Sequence, residues 1–333
     1  MRRSFFAVVA AVVVALAPTL CQTFSGAAQP EKITWAIVIH GGAGGKGATT
    51  PADQPLSARE QLIADYLKIG RDVLSAGGTA LDACEKVVRA FEDSGKFNTG
   101  KGATATGKGT YSLDASIMDG SNVGFGAVAS VQTIKNPISA ARAVMNTKDH
   151  VLLVGPGAEE FAKSKGLEIV PPSYFNATKR KKGGFKDDFD EEDHGTVGCV
   201  CLDRKGNLAA ATSTGGRGVV LPGRVGDTPI CGAGTYANNK TCAVSGTGTG
   251  EQFIRHNAAH TVSALMEYKG MSAKQAAEEV VFKILPKGSG GLIVVAHNGE
   301  VAHPFNGGAM ARGAADSTGR LEVGIGKEMR KAK

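Results

Sequence analysis

The stretch "TVGCVCLDRKGNLAAATST", residues 196–214, constrains the fold of this chain more than any other. Two apolar runs flank a polar loop, which is the pattern of a β-hairpin. With the loop centred on Lys205, residues equidistant from it face one another, so Thr196 opposes Thr214. Directly opposed residues on one face have Cβ atoms about 4.5–5.5 Å apart, close enough for two hydroxyl groups to interact. A slip of one residue would turn every side chain to the other face. Just ahead of the hairpin, residues 176–195 read "NATKRKKGGFKDDFDEEDHG", basic then acidic around a glycine pair. Such a composition is that of a solvated linker. About twenty structureless residues in mid-chain call for a reason, and processing is one.

The seam of linker and hairpin is Gly195-Thr196. A threonine hydroxyl is a weak nucleophile until a base takes its proton. A threonine at a new chain terminus carries that base itself, because an α-amine of pKa about 7.7–8.0 accepts a proton near neutrality. This suggests that Thr196 attacks the Gly195 carbonyl, cuts its own chain and stays as the catalytic N-terminal residue. Glycine suits such a seam by tolerating the backbone angles that attack requires. The competing reading is an exposed loop followed by an ordinary strand threonine.

Two further motifs bear on the chemistry. "PGRVGD" sets Arg224 and Asp227 on one loop, where Arg can take an α-carboxylate in a two-pronged bond and Asp an α-ammonium. The same pair could equally form a mutual salt bridge. "SGTGTGE" places Thr247 and Gly248 between a strand and a helix, where a hydroxyl and main-chain N–H groups can face a developing oxyanion, or where the chain simply turns. The glycine clusters do not make a nucleotide site. "IHGGAGGKGAT" has His40 and Gly47 where a P-loop needs Gly and Ser or Thr, and "GTGTGE" has Glu251 where the dinucleotide fingerprint needs Gly.

Glycine is abundant, at 46 of 333 residues, without a collagen period, so these residues serve turns and close approaches. The net charge of +7 is scattered and not interleaved with aromatics, which argues against nucleic acid as a partner. The first residues, "MRRSFFAVVAAVVVALAPTL", read as a signal peptide over 1–28 with cleavage near Ala28. The apolar run is shorter than the roughly 20 residues that span a bilayer. Export to the periplasm or medium is expected, with no membrane association after the signal is removed. Arg2 and Arg3 fit a twin-arginine or a plain positive leader equally. Once Cys21 leaves with the signal, Cys84, Cys199, Cys201, Cys231 and Cys242 remain, an odd number that guarantees a free thiol. Cys199 and Cys201 point the same way from one strand and read as small buried hydrophobes, since no partner sits at metal spacing.

Helices are expected over 57–74, from the Thr79 cap onward, from Pro137, over 251–269 and over 272–285. Strands are expected at "ITWAIVIHGG", "YSLDASIMDG", "VGFGAVASV", on both arms of the hairpin, at "CGAGTYA" and "TCAVSG", and in "GLIVVAHNGEVAHPF" turning at Asn298-Gly299. Strands and helices in blocks on each side of the linker favour layers over strict βαβ alternation.

"HGTVGCVCLDRKGNLAAATSTGG", "LPGRVGDTPICGAGTYANN" and "GTGTGEQFIR", with "IHGGAG" and "FNTGKG" in the first half, resemble the plant-type L-asparaginases, or isoaspartyl peptidases. The resemblance covers nearly everything from Trp35 to about Phe305. It implies an α/β fold of the Ntn-hydrolase type, a four-layer αββα sandwich, cut into a part of residues 29–195 and a part of residues 196–333. By the same resemblance Thr196 is the nucleophile and Thr214 holds its amine. Asn98 lies near the nucleophile, and Thr247 with Gly248 forms the oxyanion hole. Arg224, Val225, Gly226 and Asp227, with Thr247, Gly248, Thr249 and Gly250, bind the substrate. No catalytic metal or cofactor is implied, though the carbonyl groups of loop 91–101 resemble one that holds a structural alkali-metal ion. Substrates are asparagine and β-aspartyl dipeptides, and the assembly is a dimer of cleaved protomers. Two alternatives are a glycosylasparaginase and an uncleaved aspartate-binding protein. The chain departs from the family pattern at 217–220, at Gly246 and in "FNGGAMARG".

Overall fold

Alternation along β1 (Ala36–Ala43) organises the molecule: Ile37 and Ile39 join one apolar cluster while Ala36 and Val38 join another. The computed structural model describes residues 32–44, 54–176, 195–217 and 220–333. The expected signal peptide and the interior of the expected linker lie outside the described residues. Among the described residues no helix is long and apolar enough to cross a membrane.

From β1 the chain enters helices α1 (Ala58–Ser75) and α2 (Ala80–Ser94), strands β2 (Leu113–Asp119) and β3 (Gly124–Val131), helix α3 (Pro137–Met145), strand β4 (Leu152–Val154) and helix α4 (Gly155–Ser164). After the seam come β5 (Val197–Leu202), β6 (Leu208–Thr214), β7 (Thr235–Ala237) and β8 (Cys242–Gly248). Helices α5 (Gly250–His256), α6 (Ala258–Lys269) and α7 (Ala273–Glu279) follow. The chain closes with β9 (Gly290–Ala296), β10 (Val301–Ala302), β11 (Met310–Asp316), β12 (Leu321–Gly324) and β13 (Arg330–Lys331). One mixed sheet runs β13-β12-β11-β1-β5-β6-β2-β3-β4 and a second runs β10-β9-β8-β7. All pairs are antiparallel except β3 with β4.

The large sheet separates two cores. On one face Ile37, Ile39, Cys199, Cys201, Ala209 and Ala211 pack with Leu67 of α1, Val87 and Val88 of α2 and Ile138 of α3. On the other face Val38, Val200, Leu202 and Ala210 meet Val244 of β8, Ile293 and Val295 of β9, and Ala259, Val262 and Ala276 of α6 and α7. Helix starts follow their caps. Ser57 accepts from the Glu60 N–H while Glu60 reaches back to Ser57, and Thr79 accepts from the Asp82 N–H.

The hairpin register is the expected one: Val197 pairs with Ser213 and Gly198 with Thr212. The helix expected over 251–269 is two helices, because Asn257 adopts a left-handed backbone with φ of 45°, a conformation Asn tolerates better than most residues. The helix expected over 272–285 is α-helical only to Glu279 and continues as a π-helical turn, Val280–Ile284. Strand β11, "MARGAAD", lies inside the large sheet between β12 and β1. Its Ala and Gly content carries little β-propensity, so the sequence pattern does not announce it.

Candidate active site

The seam sits at the start of β5, on the face of the large sheet that meets the second sheet. Thr196 and Thr214 are both buried, at 8% and 5% exposure, and the Thr196 hydroxyl donates to the Thr214 hydroxyl across 3.1 Å. Thr214 in turn accepts from the Gly216 N–H at 3.2 Å. Among the described residues no imidazole or carboxylate hydrogen-bonds the Thr196 hydroxyl. Below it, Thr212 Oγ1 lies 2.7 Å from Ser245 Oγ, which lies 3.0 Å from His40 Nε2. Burial drives His40 down to about 3, so this imidazole is neutral and engaged with Ser245.

The glycine run after β1 closes over the seam. Gly42 has φ of 106°, and a Cβ there would overlap the Gly195 Cα. Next to it the Ala43 N–H donates to Thr247 Oγ1 at 3.2 Å, joining this run to the strand expected to supply the oxyanion hole. Thr247 is fully buried and Gly248 half-buried at the end of β8. The contact of "IHGGAG" with Gly195 is a tertiary one that no local pattern announces. Gly42→Ala is expected to slow cutting at 195/196 by roughly 5- to 150-fold, the equivalent of about 1–3 kcal/mol of backbone strain. A time course of the cut fraction on denaturing gels checks this.

Arg224 and Asp227 do come together with Gly250, but the ion pair is a different one from that weighed in the sequence. Arg224 Nε donates to Glu251 Oε1 at 3.0 Å, and Arg217 lies 3.8 Å from the other Glu251 oxygen. The hydrogen bond from Arg224, helped by its charge, holds the Glu251 carboxyl below its usual range. Gly226 and Gly250 flank the guanidinium, where a Cβ would stand 2.9 Å from Nη1 and 3.0 Å from Nη2. Val225 and Thr249 are half-buried beside them. Asp227 is buried, its Oδ2 makes no hydrogen bond, and burial pushes its carboxyl up to about 7 against the opposing pull of Arg224. Asp114 of β2, paired with Thr214, adds a second buried carboxyl raised by burial to about 6. Glu251 and Asp114 were missed because one was read only as a helix start and the other lies a hundred residues away on another strand.

Asn98 braces the hairpin end from the first half of the chain. Its amide donates to the Gly216 carbonyl at 2.7 Å, its Oδ1 accepts from Thr104 at 2.8 Å, and its carbonyl accepts from Gly215 at 2.8 Å. In the same loop, Thr99 Oγ1 lies 2.7 Å from Ser213 Oγ, which donates to the buried Glu92 at 2.7 Å. Glycines of this loop pack against main-chain carbonyls: a Cβ on Gly100 would lie 2.5 Å from Glu92 O, and one on Gly102 would lie 3.1 Å from Gly95 O and overlap Phe97 O, which also accepts from the Thr99 N–H at 2.8 Å. Hard oxygens of this kind are the donor type a hard cation takes. A cavity of about 880 Å³ lies elsewhere, lined by Lys274, Phe282, His303, Phe305, Arg312 and Lys327. None of the expected site residues lines it.

Residues 33–325 match the family model described as asparaginase. The chain belongs to the asparaginase family. It is 47% identical over 287 residues to the isoaspartyl peptidase of Escherichia coli, covering 81% of this chain and 89% of that one. It is 41% identical over 323 residues to the probable isoaspartyl peptidase/L-asparaginase 2 of Arabidopsis thaliana, covering 87% and 98%. With the isoaspartyl peptidase/L-asparaginase of Homo sapiens it shares 39% over 301 residues, covering 87% and 95%. The stretch matched to the asparaginase family contains every residue expected in the site, from Asn98 to Gly250.

Proposed function

We propose that this chain is a self-cleaving N-terminal threonine hydrolase that cleaves the side-chain amide of L-asparagine and the β-aspartyl bond of isoaspartyl dipeptides. The observation that carries this reading is the hydroxyl pair of Thr196 and Thr214, 3.1 Å apart, directly after a glycine packed under Gly42. Self-cleavage runs by attack of Thr196 Oγ on the Gly195 carbonyl carbon. The Gly195–Thr196 C–N bond breaks, leaving an ester on Oγ and a free amine. Water then hydrolyses the ester to the Gly195 carboxylate, and Thr196 heads the 196–333 part.

In turnover the Thr196 amine takes the Oγ proton, and Oγ attacks the amide carbon of the substrate. The oxyanion faces the Thr247 hydroxyl and the Gly248 N–H. Ammonia, or the amino end of a dipeptide's second residue, leaves with the proton held by the amine. Water releases aspartate from the ester. Arg224 takes the substrate α-carboxylate and Asp227 its α-ammonium, while Thr214 and Asn98 position the nucleophile. An alkali-metal ion held by carbonyl groups of loop 91–101 would stiffen the brace that Asn98 makes.

The four-layer αββα reading is supported by α1 to α3 packing on the large sheet and by α6 and α7 packing with the second. The same reading makes residues 29–195 and 196–333 the two parts of each protomer, two protomers the assembly, and an exported protein without its first 28 residues the mature form. The relatives' names do not favour glycosylasparaginase, and an aspartate-binding protein would have no use for the buried threonine pair. The matured protein is expected to release ammonia from L-asparagine and to split a β-aspartyl dipeptide; failure on both contradicts the proposal.

Asp227 adds a pH dependence. With its carboxyl raised to about 7, it is neutral below that pH and cannot pair with an ammonium group. The dissociation constant for L-aspartate is therefore expected to rise about tenfold per unit as pH falls below about 7 and to level off above it. Calorimetry between pH 5 and 8 checks this, and a flat profile contradicts it.

A further inference from the structure

Cys84 of α2 and Cys199 and Cys201 of β5 bring three sulfur atoms within 4.8 Å of one another, with all three residues fully buried. Cys199 Sγ and Cys201 Sγ are 3.6 Å apart, and Cys84 Sγ points at the Cys199 carbonyl, 3.4 Å away. The sequence offers Cys199 and Cys201 no partner at metal spacing; the fold supplies Cys84 from the other half of the chain.

Metal–thiolate bonds of about 2.3 Å place sulfur atoms about 3.8–4.0 Å apart around a tetrahedral or trigonal ion, a spacing that the observed distances bracket. Among the described residues no histidine or carboxylate joins the cluster, so four-coordinate zinc would lack a side-chain ligand. Three soft sulfurs without a nitrogen or oxygen side chain select copper(I).

We propose that Cys84, Cys199 and Cys201 form a buried three-sulfur site for a soft monovalent cation, copper(I). Binding displaces a proton from each thiol that becomes a thiolate and moves no electrons. The cluster lies on the α2 face of the sheet, opposite the face that carries Thr196, so the ion takes no part in turnover. Cys84 belongs to residues 29–195 and the other two to residues 196–333. The ion would therefore bridge the two parts of a cut chain, although binding itself does not depend on the cut.

The test uses the full-length protein from copper-supplemented cells, purified without oxygen and desalted against the copper(I) chelator bicinchoninate. About one copper per chain is expected to remain, with only sulfur neighbours in its X-ray absorption spectrum. Cys84→Ser and Cys199→Ser are each expected to lower retained copper at least about tenfold, while Cys231→Ser, at an exposed thiol, leaves it unchanged. No copper in the parent protein, nitrogen or oxygen neighbours, or undiminished copper in Cys199→Ser would overturn the proposal. The absorption spectrum of the parent protein decides even if a variant fails to fold.

Discussion

Thr196→Ala is expected to leave a single uncut chain and to lower turnover of L-asparagine and of a β-aspartyl dipeptide by at least about 10⁴-fold, the scale on which removing a catalytic nucleophile acts. The substitution deletes the hydroxyl that donates to Thr214, and without it neither the Gly195 carbonyl nor the substrate amide has an attacking oxygen. The loss of a single buried hydroxyl from the edge of a β-strand costs the fold little, so the variant should keep the circular dichroism of the parent. Thr196→Ser, which keeps an attacking oxygen, should still cut itself and turn over. Turnover by Thr196→Ala within tenfold of the parent would move the nucleophile elsewhere. Denaturing gels and an ammonia assay on the same preparations read both effects.

Arg224→Ala is expected to lower kcat/KM by about 30- to 5,000-fold, the range of about 2–5 kcal/mol for truncating one partner of a desolvated charge pair, here the one Arg224 makes with the bound substrate carboxylate. Arg224 acts on three carboxyls, those of Glu251, Asp227 and Asp114, and Arg217 adds a longer contact to Glu251 at 3.8 Å. Loss of Arg224 costs the substrate carboxylate its two-pronged partner and leaves Asp227 and Asp114 without its opposing charge. Since Arg224 pulls the Asp227 carboxyl down, its loss raises that group further and moves the pH dependence of L-aspartate binding to higher pH. Arg224→Lys should not restore the rate, because a single ammonium cannot reproduce the planar fork. Steady-state kinetics on both variants check this, and a loss under threefold in Arg224→Ala contradicts it.

What was legible in the sequence was what repeats locally. Period-2 alternation around Lys205 set the hairpin register, and with it the contact of Thr196 and Thr214, before any tertiary contact was known. The same held for the Ser57 and Thr79 caps, whose signals lie within one turn. Illegible were the contacts made by distant segments. Gly42 meets Gly195, Asp114 stands beside Thr214, and Cys84 completes a cluster with Cys199 and Cys201, all through sheet packing that no spacing encodes. Glu251 shows a subtler limit: its helix-start position was readable, but its choice as the Arg224 partner depends on how a loop folds back over α5. β11 escaped notice because it owes its place to pairing with β1 and not to its own residues.

The central claim is that the chain is cut between Gly195 and Thr196. Intact-mass analysis with N-terminal sequencing of the purified, denatured protein tests it most directly. The account predicts two fragments, one ending at Gly195 or trimmed from there, the other starting Thr-Val-Gly-Cys. A single uncut chain that hydrolyses β-aspartyl dipeptides, or a second fragment starting at any residue other than Thr196, would contradict it.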